Sequence, residues 1–259
     1  MGQPRTGIRK PGRVDRRRAI GLMGAGFAAF AVPAARAAVD ETAGRVSLIR
    51  EGERIGEGYV AYGREGSRLK VRVALEATIT FGFITVFRYR HESEELWQDG
   101  RLVALDGHTN DDGEHYEMTA RPVAAGLAVE GTKGNFTAPA DVLPLSYWHP
   151  DTVNRRQWLD ASKGRLLTVS VVPVETESVE VATRRVLARR YAVTGDGVMT
   201  LWYDPSRAWV MTRFKKKGSD VDLVLDDPPL LTASLMAPAL VQDWALLGAT
   251  ASNVRYPAD

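Results

Sequence analysis

A chain of 259 residues, 44% hydrophobic and 25% charged, is long and apolar enough to bury a sizeable core, and its lack of cysteine excludes disulfides, zinc–thiolate sites and cysteine nucleophiles. The formal charge of +2 hides an asymmetry. The first 37 residues hold eight basic groups and one acidic group, and taking these from 34 and 32 leaves 26 basic against 31 acidic. The remaining chain, at about −5, does not offer the basic surface that neutralises phosphates, so a nucleic-acid partner is excluded.

The basic excess is concentrated at the N-terminus. Arg16-Arg17-Arg18-Ala19-Ile20 places Arg17 and Arg18 ahead of a weakly hydrophobic, Gly/Ala-rich stretch from Ala19 to Val32. Ala35-Arg36-Ala37 follows as a small-x-small cleavage site. This pattern predicts a signal peptide of twin-arginine type over residues 1–37 and export to the periplasm. The apolar run is too short for a stable membrane span.

From Arg45 onward, short β-type runs alternate with turn residues. Arg45–Ile49 and Tyr59–Tyr62 flank Gly52-Glu53-Arg54-Ile55-Gly56-Glu57-Gly58, which reads as a bulged hairpin because no helix or Lys-Ser pair follows to make a phosphate cradle. Leu69–Ile79 is the next strand. Phe81, Phe83, Phe87 and Tyr89 then form an aromatic stripe at period two, expected to face the core or line an apolar cavity.

Residues 81–119 predict three consecutive antiparallel strands. Asp99-Gly100 is a two-residue type I′ turn signal, which sets Gln98 opposite Arg101 and Trp97 opposite Leu102. Continued without a break, that register sets His91 opposite His108. A four-residue loop at Asn110-Asp111-Asp112-Gly113 sets His108 opposite His115. His91, His108 and His115 would then share one face with Asp106 and Glu117, a candidate divalent-metal or acid–base cluster. Neighbouring strands lie ~4.8 Å apart, so only strong curvature would let three imidazoles reach one ion. A slip of one residue in either turn would send part of the row to the other face.

Beyond Thr119 the meander continues through Leu127–Glu130 and Asn135–Thr137. Pro139, Pro144 and Pro150 interrupt it and enclose Leu145-Ser146-Tyr147-Trp148-His149. Residues 151–164 predict one short helix, with Asp151 as N-cap and Gly164 past its end. Tyr147, Trp148 and Trp158, with Trp97, are candidates for a lid or plug over an apolar cavity. Six strands follow, over 166–174, 178–183, 186–193, 198–203, 208–214 and 221–225, and the triple lysine Lys215-Lys216-Lys217 reads as a solvated turn tip. Regular short strands without βαβ spacing predict a mainly β fold. The expected form is a single antiparallel β-barrel or curled half-barrel over residues 38–227, with an apolar C-terminal extension over 228–259. Pro238, Gln242 and Asp243 count against a membrane span in that extension.

Taken as a set, several motifs carry a resemblance. They are Gly52–Gly56, His-Glu-x-x-Glu-x-Trp-x-Asp-Gly-x-Leu over His91–Leu102, Thr109–Gly113, Ser146-Tyr147-Trp148 and Leu201-Trp202-Tyr203-Asp204. The chain resembles, from Val46 to Leu225, an uncharacterised family of exported periplasmic bacterial proteins with an antiparallel β-barrel-like domain. The resemblance implies a β-rich architecture and a periplasmic location. It carries no activity and assigns no catalytic residue.

Nucleophilic serine chemistry finds little support, because no Gly-x-Ser-x-Gly elbow occurs and Ser146 with His149 has no orienting acid at an identifiable spacing. Asn110–Gly113 is a turn and not a calcium loop, since it has no alternating ligands. The residues therefore favour a binding module: an aromatic-lined barrel for a small hydrophobic or lipid-like ligand, with no cofactor. A metal-dependent site on the histidine row and a filled-barrel interaction protein are the two alternatives.

Overall fold

Alternation of apolar and polar side chains runs through almost every segment between residues 42 and 227, which, with Gly2, are the residues described by the computed structural model. The signal residues Arg17, Arg18, Ala35 and Ala37, and the extension 228–259, lie outside the described residues. In chain order the strands are β1 (Thr42–Arg50), β2 (Glu53–Glu65), β3 (Arg68–Phe81), β4 (Ile84–Gln98), β5 (Arg101–Asp111), β6 (Glu114–Val123), β7 (Gly126–Gly131) and β8 (Phe136–Ala138). They continue with β9 (Leu143–Pro144), β10 (Gln157–Asp160), β11 (Arg165–Val181), β12 (Arg184–Gly195), β13 (Met199–Tyr203), β14 (Trp209–Lys216) and β15 (Ser219–Asp227).

All fifteen join one sheet in the order β8-β7-β6-β5-β4-β3-β2-β1-β15-β14-β13-β12-β11-β10-β9. The order is a meander in which β1 pairs antiparallel with β15, and among the described residues only β9 and β10 run parallel. The two edge strands, β8 and β9, are neighbours in sequence, so the sheet is joined there by chain and not by a hydrogen-bonded ladder. The closed-barrel form of the sequence expectation is thus corrected to an open sheet. That sheet is curled, because a single apolar cluster contains Leu127 and Ala138 near one edge, Leu143 and Trp158 near the other, and Leu69, Leu201 and Leu223 between them.

Tight turns drive the curl. Both residues of Glu51-Gly52, Asp99-Gly100, Asp112-Gly113 and Lys217-Gly218 have positive φ, the mirror-image turn geometry whose twist matches that of the strands. Bulges add bending at Leu48/Ile49 and Leu96/Trp97. A further irregularity between Pro173 and Thr176 separates the distal part of the long β11–β12 hairpin. Its residues Val179, Val181 and Ala188 form a second small core with Trp202, Val210, Met211 and Val224. The Trp202 indole donates to Glu177 at 2.8 Å, and Arg184 reaches the Asp226 carbonyl at 3.0 Å.

The predicted helix over 151–164 does not form. A short 3-10 turn spans Pro150–Asn154, capped by His149, whose Nδ1 accepts the Asp151 N–H. The chain then extends into β10 and turns at Ala161–Gly164. Trp158 and Leu159 are adjacent and both fully buried, so apolar packing covers both sides of this segment. A surface helix could bury only one stripe. Gly164 adopts positive φ, as expected of a helix-terminating glycine, but here it serves the β10–β11 turn.

That turn seats against the concave side of β5. A Cβ placed on Gly107 would lie 2.5 Å from the Ala161 carbonyl oxygen. Gly107→Ala is expected to destabilise the protein by about 1–3 kcal/mol, measured by denaturant unfolding, because backbone must move to admit the methyl group.

Candidate ligand cavity

The inner face of β4 carries Phe87, Tyr89, His91, Ser93, Glu95 and Trp97 in succession, and these six residues pass from one end of the curled sheet to the other. At the Trp97 end the interior is filled. Trp148 lies edge-on to both Tyr62 and Trp97 with ring centroids 5.5 Å apart, and His149 stacks on Trp97 at 5.3 Å. Tyr203 donates from its hydroxyl to the Tyr147 carbonyl at 2.6 Å, and the Trp158 indole donates to Thr152 O at 2.9 Å. Residues 145–160 are therefore a plug held in the core. Among the sequence-assigned lid candidates, Trp97, Trp148 and Trp158 are core, and only Tyr147, stacked on Trp209 at 5.6 Å, reaches the open space above.

Beneath the plug residue Trp148 sits a buried carboxyl. Glu95 Oε2 accepts the indole N–H groups of Trp97 (2.8 Å) and Trp148 (3.0 Å). Burial pushes the Glu95 carboxyl up from the ordinary glutamate range, against the opposing pull of Ser146, Trp148 and Trp97. Among the described residues, neither Glu95 Oε1 nor Ser146 Oγ completes a hydrogen bond of good geometry.

At the Phe87 end the interior is open. A cavity of about 590 Å³ is walled by side chains of β1–β4 and β13–β15, among them Leu48, Val73, Leu75, Phe214 and Leu223. Its rim is polar. Six basic residues (Arg50, Lys163, Arg165, Lys215, Lys216, Lys217) and three acidic ones (Asp111, Asp160, Asp196) border it. Asp111 accepts Lys216 Nζ at 2.8 and 3.0 Å and lies 3.1 Å from Lys163 Nζ. Partial burial works to raise the Asp111 carboxyl, but Lys216 and Lys163 hold it below the usual carboxylate range. Lys217 pairs with Asp112 at 3.0 Å, and both Lys216 and Lys217 lie over the Phe87 ring. Lys216 and Lys217 thus clamp the β14–β15 turn to the β5–β6 turn and are not merely a solvated tip, whereas Lys215 pairs with Asp220 inside its own hairpin. Period two along β5 could have placed Asp111 on the inner face, but no local signal pairs it with lysines 52 and 105 positions away.

The histidine row is broken. The Asp99-Gly100 turn forms as expected, with Gln98 opposite Arg101 and Trp97 opposite Leu102. The bulge at Leu96/Trp97 then advances the register by one residue, so His91 pairs with Thr109 and not with His108. The next turn is the two-residue Asp112-Gly113, which pairs His108 with Glu117 and Asn110 with His115. His91 accordingly faces inward, sharing a 2.8 Å hydrogen bond with Thr109 through Nδ1, while His108 and His115 face outward. Burial lowers the His91 pKa to about 4, so the ring is neutral at pH 7. Of the two carboxylates assigned to this cluster, Asp106 forms a bidentate pair with Arg121 (2.7 and 2.9 Å), and Glu117 lies 3.9 Å from His108 on the outer surface. Among the described residues, no three His, Asp or Glu side chains converge where an ion could sit.

The aromatic stripe also divides. Phe87 is buried and Tyr89 half-buried at the cavity wall, whereas Phe81 and Phe83 are exposed. Among the described residues, no helix is long and apolar enough to cross a membrane.

An open, curled antiparallel sheet with one end plugged and an apolar cavity at the other defines the class: a β-barrel-like protein with an internal pocket. The family described as Domain of unknown function (DUF6134) matches residues 47–226, and the chain belongs to it. A similar solved structure is the beta-barrel-like protein of Domain of Unknown Function DUF1849 from Brucella abortus, with 11% identity over 71% of this chain and 94% of that chain, at a TM-score of 0.46. No curated protein matches the chain.

Proposed function

We propose that this protein is an exported carrier whose cavity takes one apolar or amphipathic molecule with an anionic head. The observation that carries the reading is a space of about 590 Å³ with apolar walls and a charged rim at which two lysines, Lys163 and Lys216, share the one carboxylate of Asp111. That volume lies within the roughly 300–1,000 Å³ of small-molecule sites, which are likewise mostly apolar with a few placed polar groups. An acyl-like tail would replace water against Val73, Leu75 and Leu223, and a carboxylate or phosphate head would compete with Asp111 for Lys163 and Lys216. Arg17, Arg18 and the Ala35-Arg36-Ala37 site support the periplasm as the place of action.

The test is equilibrium titration of the purified full chain with dansyl-labelled undecanoic acid, read by fluorescence. Wild type is expected to bind it, and Leu75→Trp, which puts a larger ring into the cavity wall, is expected to weaken binding at least about tenfold while far-UV dichroism stays unchanged. Absence of binding by wild type, or equal binding by a folded Leu75→Trp variant, would overturn the carrier reading.

A further inference from the structure

The β3–β4 hairpin is longer than its neighbours can pair. β2 accompanies β3 only as far as Ala77, opposite Gly56, and β5 accompanies β4 only as far as Tyr89, opposite Asp111. From Thr78 to Phe81 the hairpin therefore runs on, paired among the described residues only to itself, a projection of roughly 13 Å at the rise of a β-strand. Beyond its neighbours the hairpin is apolar and, among the described residues, uncovered: Phe83 is fully exposed, Phe81 81%, Ile84 67% and Val86 50% exposed. Scattered exposed apolar residues are ordinary, but four clustered on one projecting ribbon are not.

Charge selects the partner. Residues 77–89 contain a single charged group, Arg88, and no acidic one. The basic rim of the cavity lies at the same end, because Ile79, Val86 and Phe87 at the base of the hairpin line the cavity together with Lys215, Lys216 and Lys217. Lys215 and Lys217 are largely exposed and pair with Asp220 and Asp112, surface ion pairs of little strength that headgroup phosphates can displace. Aromatic and aliphatic side chains on a protruding element, flanked by cationic groups, match the layered chemistry of an anionic bilayer surface, with apolar acyl chains below acidic headgroups.

We propose that the β3–β4 hairpin docks the cavity mouth onto an anionic lipid membrane, with Phe81, Phe83 and Ile84 entering the interface and the Lys215–Lys217 turn meeting the headgroups. The hairpin is then both anchor and entrance: its inserted tip continues into the Ile79–Phe87 wall of the cavity.

The experiment is vesicle flotation of the full chain with phosphatidylcholine vesicles, with and without phosphatidylglycerol, comparing wild type with a Phe81→Ser/Phe83→Ser double variant. Both positions are solvent-exposed, so the fold is expected to survive, and unfolding curves check this. Wild type is expected to float with the phosphatidylglycerol vesicles and less so at high salt, and the double variant to partition at least about tenfold more weakly. Wild type remaining unbound, the variant floating as wild type does, or equal flotation without phosphatidylglycerol would each overturn the proposal. So would a concentration-dependent dimer that the same substitutions abolish, since the tip would then be covering a second copy. Dansyl-undecanoate binding by the double variant separates this inference from the carrier reading: docking can fail while the cavity still fills, and the reverse.

Discussion

Replacing Glu95 by Ala is expected to lower the unfolding free energy by about 2–4 kcal/mol, because the indole N–H groups of Trp97 and Trp148 lose their shared acceptor in a site closed to water. Glu95→Gln should remain within about 1 kcal/mol of wild type, since the amide oxygen can accept both indoles while the amide nitrogen turns toward Ser146. Burial raises the carboxyl's pKa in the folded state, so the folded protein holds this proton to higher pH than the unfolded chain does. The contribution of Glu95 is then fully present below the unfolded value of about 4.3, and it declines as pH rises from there through the folded value. Denaturant titrations of wild type and Glu95→Gln at successive pH values read this directly. Wild type should lose stability relative to the variant as pH increases. A difference that does not vary with pH would show that the carboxyl titrates as it does in the unfolded chain.

Trp158→Ala is expected to cost about 3–5 kcal/mol and to loosen the plugged end of the sheet. Trp158 is fully buried on β10, opposite Leu167 of β11 and Leu143 of β9, so it holds the strand at one side of the unpaired seam. Trp158→Phe keeps most of the apolar volume but removes the donor to the Thr152 carbonyl, for an expected cost of about 1 kcal/mol. Unfolding midpoints measure both, and tryptophan fluorescence of the plug reports whether Trp97 and Trp148 keep their environment. Near-equal costs for the two variants would mean that the hydrogen bond, and not the ring's volume, ties down the plug.

Much of this architecture was legible before any coordinates. Asp99-Gly100 was readable as a type I′ turn because only that turn accommodates positive φ at both positions with strand twist, and both residues adopt it. The Gly52–Gly58 passage was readable as a bulged hairpin, and the bulge falls between Leu48 and Ile49 opposite it. What failed was the count carried past the bulge: Gln98 opposite Arg101 and Trp97 opposite Leu102 held, and the histidine row beyond them did not. One extra residue near Val103 moved His108 away from His91, because side chains alternate with period two and a single insertion exchanges the faces. The helix over 151–164 failed for another reason. Its caps were local signals, whereas the burial of Trp158 and Leu159 on opposite sides is decided by what packs around them.

The sequence by itself determined a β meander, its turns and the absence of any thiol chemistry, since these follow from residue type and short-range geometry. It also carried the aromatic run that walls the cavity at Phe87 and Tyr89. Only the tertiary structure decided which ends of those strands meet. The pairing of Asp111 with Lys216, the two indoles on Glu95 and the projection of Phe81 and Phe83 past β2 and β5 all join or part residues remote in sequence. Such placements are set by the register and curl of the whole sheet, which sum small bulges and twists that no single stretch of sequence contains.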